Sequence, residues 1–111
     1  MLEIWKSSDA IVCVSTGYVE GRAAIARRVR RRFVAKARGL LDDCWEQLQA
    51  VTLDDPLIGL AAQVADAYRL KALDAIHLAA AVQTGGGLTF VSWDDELATA
   101  ARHAGFATAP A

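Results

Sequence analysis

An α/β fold, with a mostly parallel sheet flanked by helices, is what this sequence predicts, and three observations predict it. Short apolar runs recur at residues 10–14 (A-I-V-C-V), 50–53 (A-V-T-L) and 88–91 (L-T-F-V), each reading as a strand. Longer segments with apolar residues at helical spacing lie between them, and that alternation favours parallel strands joined by helices. Acidic or hydroxyl residues stand where those helical segments begin, as helix entrances prefer. At 111 residues and 54% hydrophobic, the chain is sized for a single domain with its own core.

Taken in order, the residues through Ser8 read as the end of a helix or a loop. After the strand at 10–14, Ser15 or Thr16 caps a helix through a side-chain oxygen. Tyr18, Ile25, Val29 and Phe33 form one stripe along that helix, and a second helix covers 35–49 with Gly39 as its weak point. After the strand at 50–53, D-D-P opens the next helix, Pro56 being tolerated in a first turn. Its inward face is Leu57, Leu60, Ala61, Val64 and Tyr68. Residues 73–82 are apolar nearly all round, which predicts a central, buried helix. Gly85, Gly86 and Gly87 end it. Strand 88–91 leads to a helix at 94–103 closed by Gly105, and a short strand at 106–108 completes the pattern.

Composition narrows the classes. No window reaches the roughly 18–20 apolar residues of a membrane span, and M-L-E-I-W-K-S-S-D lacks the order of a secretory signal. Cys13 and Cys44 have no metal-ligand spacing and read as buried thiols of a cytoplasmic protein. The net charge of −1 conceals an asymmetry: Arg22, Arg27, Arg28, Arg30, Arg31, Arg32, Lys36 and Arg38 follow one another with no acid among them. Such a run is either a solvated helix face or a surface for phosphates or an acidic protein. Arg27/Arg31 and Arg28/Arg32 would repel on a continuous helix, so helix stability alone does not account for them.

Glu20, Asp74 and Asp94 are the candidate site residues, each near a helix start. Glu20 has Ala23 and Ala24 one turn on and no cation placed to pair with it; it reads either as an acid suited to a helix N-terminus or as an acid open to close approach. Asp74 is set among Leu73, Ala75, Ile76 and Leu78, where an unpartnered carboxylate is costly; the alternative is a simple N-cap with Lys71 nearby. Asp94 suits an N-cap, and Asp95 stays open as a ligand in its place. His77 and His103 are weak candidates, His77 reading as a packing residue or a support for the acids. In a parallel α/β sheet these helix entrances gather at the carboxyl ends of the strands. Carboxylates converging there call for a cation, and Mg²⁺ or Mn²⁺ meets that need with oxygen ligands and retained waters. Such an ion activates water for phosphodiester cleavage.

Three stretches, S-T-G-Y-V-E-G-R-A-A-I-A-R-R, L-D-A-I-H-L-A-A-A and F-V-S-W-D-D-E-L-A-T-A-A-R-H-A-G-F, occur in that order over nearly the whole chain. In wording and spacing they resemble the PIN-domain family, and within it the VapC-type toxins of toxin–antitoxin pairs. The resemblance implies a PIN-like three-layer fold and a Mg²⁺-dependent endoribonuclease blocked by a cognate antitoxin, commonly as a homodimer. It carries the family's second, third and fourth acids onto Glu20, Asp74 and Asp94. Arg27, Arg28, Arg31 and Arg32 would then contact RNA or the antitoxin. The family's first acid follows an N-terminal strand of the form apolar-apolar-apolar-Asp-x-Ser/Thr, which this sequence does not show. Its opening resembles the helix before the family's second strand, and Asp9 precedes a strand where the lost Asp would follow one.

The resemblance therefore predicts a missing mid-sheet strand between 10–14 and 88–91, an exposed strand edge and weakened metal binding. An internal codon taken as Met1 would explain the loss; a truly shortened gene is the alternative. Two other functions stand beside the nuclease. One is an inactive remnant that binds an antitoxin or a second copy, and the other is an RNA-binding module working through the Arg-rich helix.

Overall fold

The fold is described from a computed structural model over residues 3–6, 11–85 and 88–110; for residues 3–6 and Ile11 the description is of the backbone alone. The expectations placed on Ser8, Asp9, Ala10, Gly86 and Gly87 lie outside these residues. The chain opens with β1 (Glu3–Lys6), β2 (Ile11–Val14) and α1 (Gly17–Arg28). A single 3₁₀ turn, Arg31–Phe33, leads to α2 (Val34–Gln47), β3 (Gln49–Val51) and α3 (Asp55–Tyr68). Then come α4 (Ala72–Thr84), β4 (Leu88–Val91), α5 (Asp95–His103) and β5 (Ala107–Ala109).

The sheet order is β3-β2-β1-β4-β5. Strand β2 is parallel to β3 and β4 to β5, while β1 is antiparallel to both of its neighbours. Four strands thus run one way, and the mostly parallel α/β sheet is as the sequence predicts. The central slot is not. Instead of a gap beside β2 and β4, β1 fills it, pairing Ile4 with Val12 on one side and Glu3 with Val91 through Lys6 with Leu88 on the other. Residues 3–6 are therefore a strand, not a helix end or loop. Two strands with open edges attract a neighbouring extended segment. A segment so near β2 in sequence must fold back against it, because parallel pairing needs a crossover of a dozen residues or more.

Period-two alternation in β2 divides the core. Val12 and Val14 join the main cluster with Leu57, Leu78, Phe90 and Leu97, all of them at 1% exposure or less. Cys13 lies buried on the opposite face, near Gly17 and the Trp45 ring, whereas Cys44 is exposed on α2 and not the buried thiol expected; a Cβ at Gly17 would collide with the Cys13 Sγ. Helices consequently cover both faces of the sheet. At Gly21 the approach of α1 to α2 is also close, since a Cβ there would stand 3.0 Å from both methyls of Leu41.

Helix α3 presents Leu57, Ala61 and Val64 inward with Leu60 and Tyr68 partly buried, the face its spacing predicts. Helix α4 is central, with the side chains from Leu78 through Ala81 fully buried, although Leu73 and Val82 at its ends are exposed. Strand β3 falls slightly before the predicted 50–53, and β5 one residue later than predicted.

Helix α1 differs more. It stops at Arg28, and Val29 is extended (φ −90°, ψ 134°), so the Tyr18–Phe33 stripe is cut short and Phe33 is exposed. Arg27 and Arg28 then sit in the last turn, where cations favour the helix dipole, and the i,i+4 repulsion with Arg31 and Arg32 is avoided. Thr16 occupies the N-cap position but makes no capping bond, and its Oγ1 is buried without a partner.

Candidate active site: an acidic cleft at the strand ends

Glu20, Asp74 and Asp94 line one open cleft of about 400 Å³, together with Arg28, Ser92, Trp93 and Leu97. Glu20 enters on the first turn of α1, directly after β2. Asp74 enters on the first turn of α4, and Asp94 from the end of β4. Glu20 and Asp94 meet because α1 and α5 each follow one of the parallel strands, β2 and β4; Asp74 joins them from α4, which follows α3 and packs against it. Asp95 does not share the cleft. With Glu96, Tyr68, Arg69, Thr99 and His103 it borders a separate depression of about 420 Å³.

The simple N-cap reading fails for Asp74. Lys71 is the cap residue of α4, and the Asp74 side chain makes no capping bond. Partial burial pushes the Asp74 carboxyl above its ordinary range; Asp94 adds to this and Glu20 does so less, while a protonated His77 and Lys71 pull the other way. The carboxylates therefore feel one another across the cleft.

For Asp94 the structural reading holds as well. Its Oδ1 accepts from Leu97 N at 3.0 Å, which caps α5. Its own N–H donates to Ser92 Oγ at 3.1 Å, and Ser92 N–H donates to Ala109 O at 3.0 Å. One carboxylate oxygen is thus committed to the helix, and the loop before it is pinned.

His77 does more than pack. It is 1% exposed, and its Nε2 lies 2.7 Å from Glu20 Oε2, tying α4 to α1. With Nε2–H donating, Nδ1 is left buried without a partner. Of the four arginines singled out, Arg28 alone lines the cleft. Arg27, Arg31 and Arg32 are exposed outside it, Arg32 lying over the Phe33 ring at 4.8 Å. Trp93, between Ser92 and Asp94, was not legible as a binding residue in a sequence with scattered tryptophans. It is 81% exposed at the cleft. The available signal was an aromatic residue in the polar loop S-W-D-D.

Among the described residues, no three His, Cys, Asp or Glu side chains stand close enough to form a ready-made ion cage. The donor chemistry nonetheless fits a hard cation. It consists of carboxylate oxygens on separate elements, Glu20 and Asp74 partly buried and Asp94 exposed, of the kind that hold Mg²⁺ through one or two direct ligands and retained waters.

Comparison with known proteins agrees with this fold. Ribonuclease VapC45 and ribonuclease VapC49, from two Mycobacterium tuberculosis strains, are each 34% identical over 114 residues, covering 97% of this chain and 79% of theirs. Ribonuclease VapC47 of the same species is 43% identical over 94 residues, covering 84% of this chain and 65% of its own. No family profile and no solved structure matches the chain. A PIN-like α/β protein with acids gathered at the strand ends is the class defined here. The chain belongs to the VapC ribonuclease family.

Proposed function

We propose that this chain is a Mg²⁺-dependent endoribonuclease, the toxin of a toxin–antitoxin pair, cleaving RNA at the cleft bordered by Glu20, Asp74 and Asp94. The observation that carries the reading is that three acids from three separate segments line one cleft, where the carboxyl of Asp74 is held up by burial and by its acidic neighbours. Kinship with proteins named ribonucleases supports the substrate class.

When bound, the metal ion supplies a polarised water and neutralises the charge developing on the phosphodiester. The chain's own residues do the rest. His77 holds Glu20 facing the cleft, and the cap bond holds Asp94. Arg28 offers a guanidinium to a substrate phosphate. The family reading brings a cognate antitoxin and a homodimer as partners. Exposed apolar side chains outside the cleft, Val19, Leu40, Ile58 and Leu73, are surface that such partners would cover.

The test is cleavage of single-stranded RNA by the wild type with Mg²⁺, with a chelator, and by Asp74→Asn. Cleavage that needs the ion and disappears in the variant while the fold is retained supports the reading. Cleavage surviving in Asp74→Asn overturns the site. No cleavage by the wild type overturns the enzyme and leaves the partner-binding remnant and the RNA-binding module.

A further inference from the structure

The acids leave an affinity problem. Glu20, Asp74 and Asp94 outnumber Arg28 in the cleft, so its charge does not by itself favour a polyanion. Arg28 and the proposed ion answer the phosphates, but a base needs an uncharged partner, and the exposed aromatic ring in the cleft lining is Trp93. We propose that the Trp93 indole is a stacking platform for an unpaired nucleobase next to the phosphodiester presented to Glu20, Asp74 and Asp94, so that the substrate is RNA single-stranded at that nucleotide. This rests on the ribonuclease reading and goes beyond it by naming the recognition element.

Three observations support the assignment. First, Trp93 is 81% exposed, although a tryptophan gains more than most residues from burial. Other aromatic rings have uses within the fold. Tyr18 meets Trp45 edge-on at 5.5 Å, Phe90 meets Phe106 at 6.3 Å, and Phe33 lies under Arg32. Second, Trp93 shares the cleft lining with all three acids and with Arg28, so one nucleotide can meet the ring while its phosphate meets the charged groups. Third, its backbone is fixed on both sides. Ser92 is 5% exposed and bonded to Ala109 O, and Asp94 is bonded to Ser92 Oγ and caps α5. A pinned backbone lowers the cost of ordering the loop on binding. Stacking suits any base with a free face, and a base inside a duplex has none.

The experiment uses the wild-type chain, Trp93→Phe and Trp93→Ala with a cleavable single-stranded RNA oligomer and Mg²⁺. A matching series of oligomers carries one abasic nucleotide at successive positions around the cleavage site. Trp93→Ala should raise KM about ten- to a hundredfold, the range base–aromatic stacking covers, with a smaller effect on kcat. Trp93→Phe should recover much of the loss. One abasic position should raise the wild type's KM by a similar factor and add little in Trp93→Ala, which shows that ring and base interact with each other. Equal KM values for wild type and Trp93→Ala overturn the proposal, as does an abasic penalty that is the same in both.

If the wild type does not cleave, the ribonuclease reading fails separately, and equilibrium binding of the uncut oligomer and its duplex decides. Single-strand-selective binding that weakens in Trp93→Ala sustains the platform, and unchanged binding removes it. Because the side chain is so exposed, the variants should fold as the wild type does, which circular dichroism checks.

Discussion

Glu20 and His77 are 57 residues apart in sequence and joined by a 2.7 Å hydrogen bond in space. The buried imidazole fixes one oxygen of a carboxylate that borders the cleft. This single contact couples the buried helix α4 to the entrance of α1. His77→Ala would leave a cavity in α4 and an unpaired Glu20. We expect it to lower unfolding free energy by about 2–4 kcal/mol and RNA cleavage by about ten- to a hundredfold. Denaturant titration and single-turnover kinetics check both.

The elevated Asp74 carboxyl gives a pH signature. The folded chain favours the protonated form, so the group's favourable contribution is fully present below the unfolded value, about 3.9, and is lost as pH rises through the raised folded value. At neutral pH, without divalent ions, the ionised carboxylate is a cost. Asp74→Asn should therefore melt above the wild type at pH 7, and the difference should vanish near pH 3. Thermal melts at both pH values decide it.

Asp94 has a structural and a chemical task that two substitutions separate. Asn caps a helix as well as Asp, so Asp94→Asn should keep the stability of α5 while losing the charge. Asp94→Ala should lose about 1 kcal/mol as well. Cleavage should fall in both. An active Asp94→Asn would assign the residue to capping alone.

Arg28 is set apart from its neighbours by position. Arg28→Ala should raise KM for RNA and reduce the salt dependence of binding by about 0.7 in log–log slope, the share of one single-strand phosphate contact. Arg27→Ala, outside the cleft, should leave both unchanged. Binding measured over a salt series distinguishes them.

Much of this was legible beforehand because it depends on local rules. Leu57, Ala61 and Val64 follow helical spacing, Pro56 marks a first turn, and Asp94 follows a strand where a helix must be capped. The three acids were readable as a group because each stands near a helix start, and for Glu20 and Asp94 that start follows one of the parallel strands. What was not legible depends on partners distant in sequence or on competing forces. Residues 3–6 become a strand because β2 and β4 need a partner, which nothing within E-I-W-K declares. Helix α1 ends at Arg28 although the apolar spacing continues to Phe33, and the break separates the stacked arginine charges. The Glu20–His77 bond and the exposure of Trp93 required the fold itself.

The proposed function requires Glu20, Asp74 and Asp94 to serve one divalent ion. Its most direct measurement is the melting temperature with and without Mg²⁺ for the wild type, Glu20→Gln, Asp74→Asn and Asp94→Asn. An ion that binds only the folded state raises the melting temperature by mass action. Mg²⁺ should raise the wild type's melting temperature, and the rise should be lost or sharply reduced in each variant. An equal rise in all four proteins would contradict it.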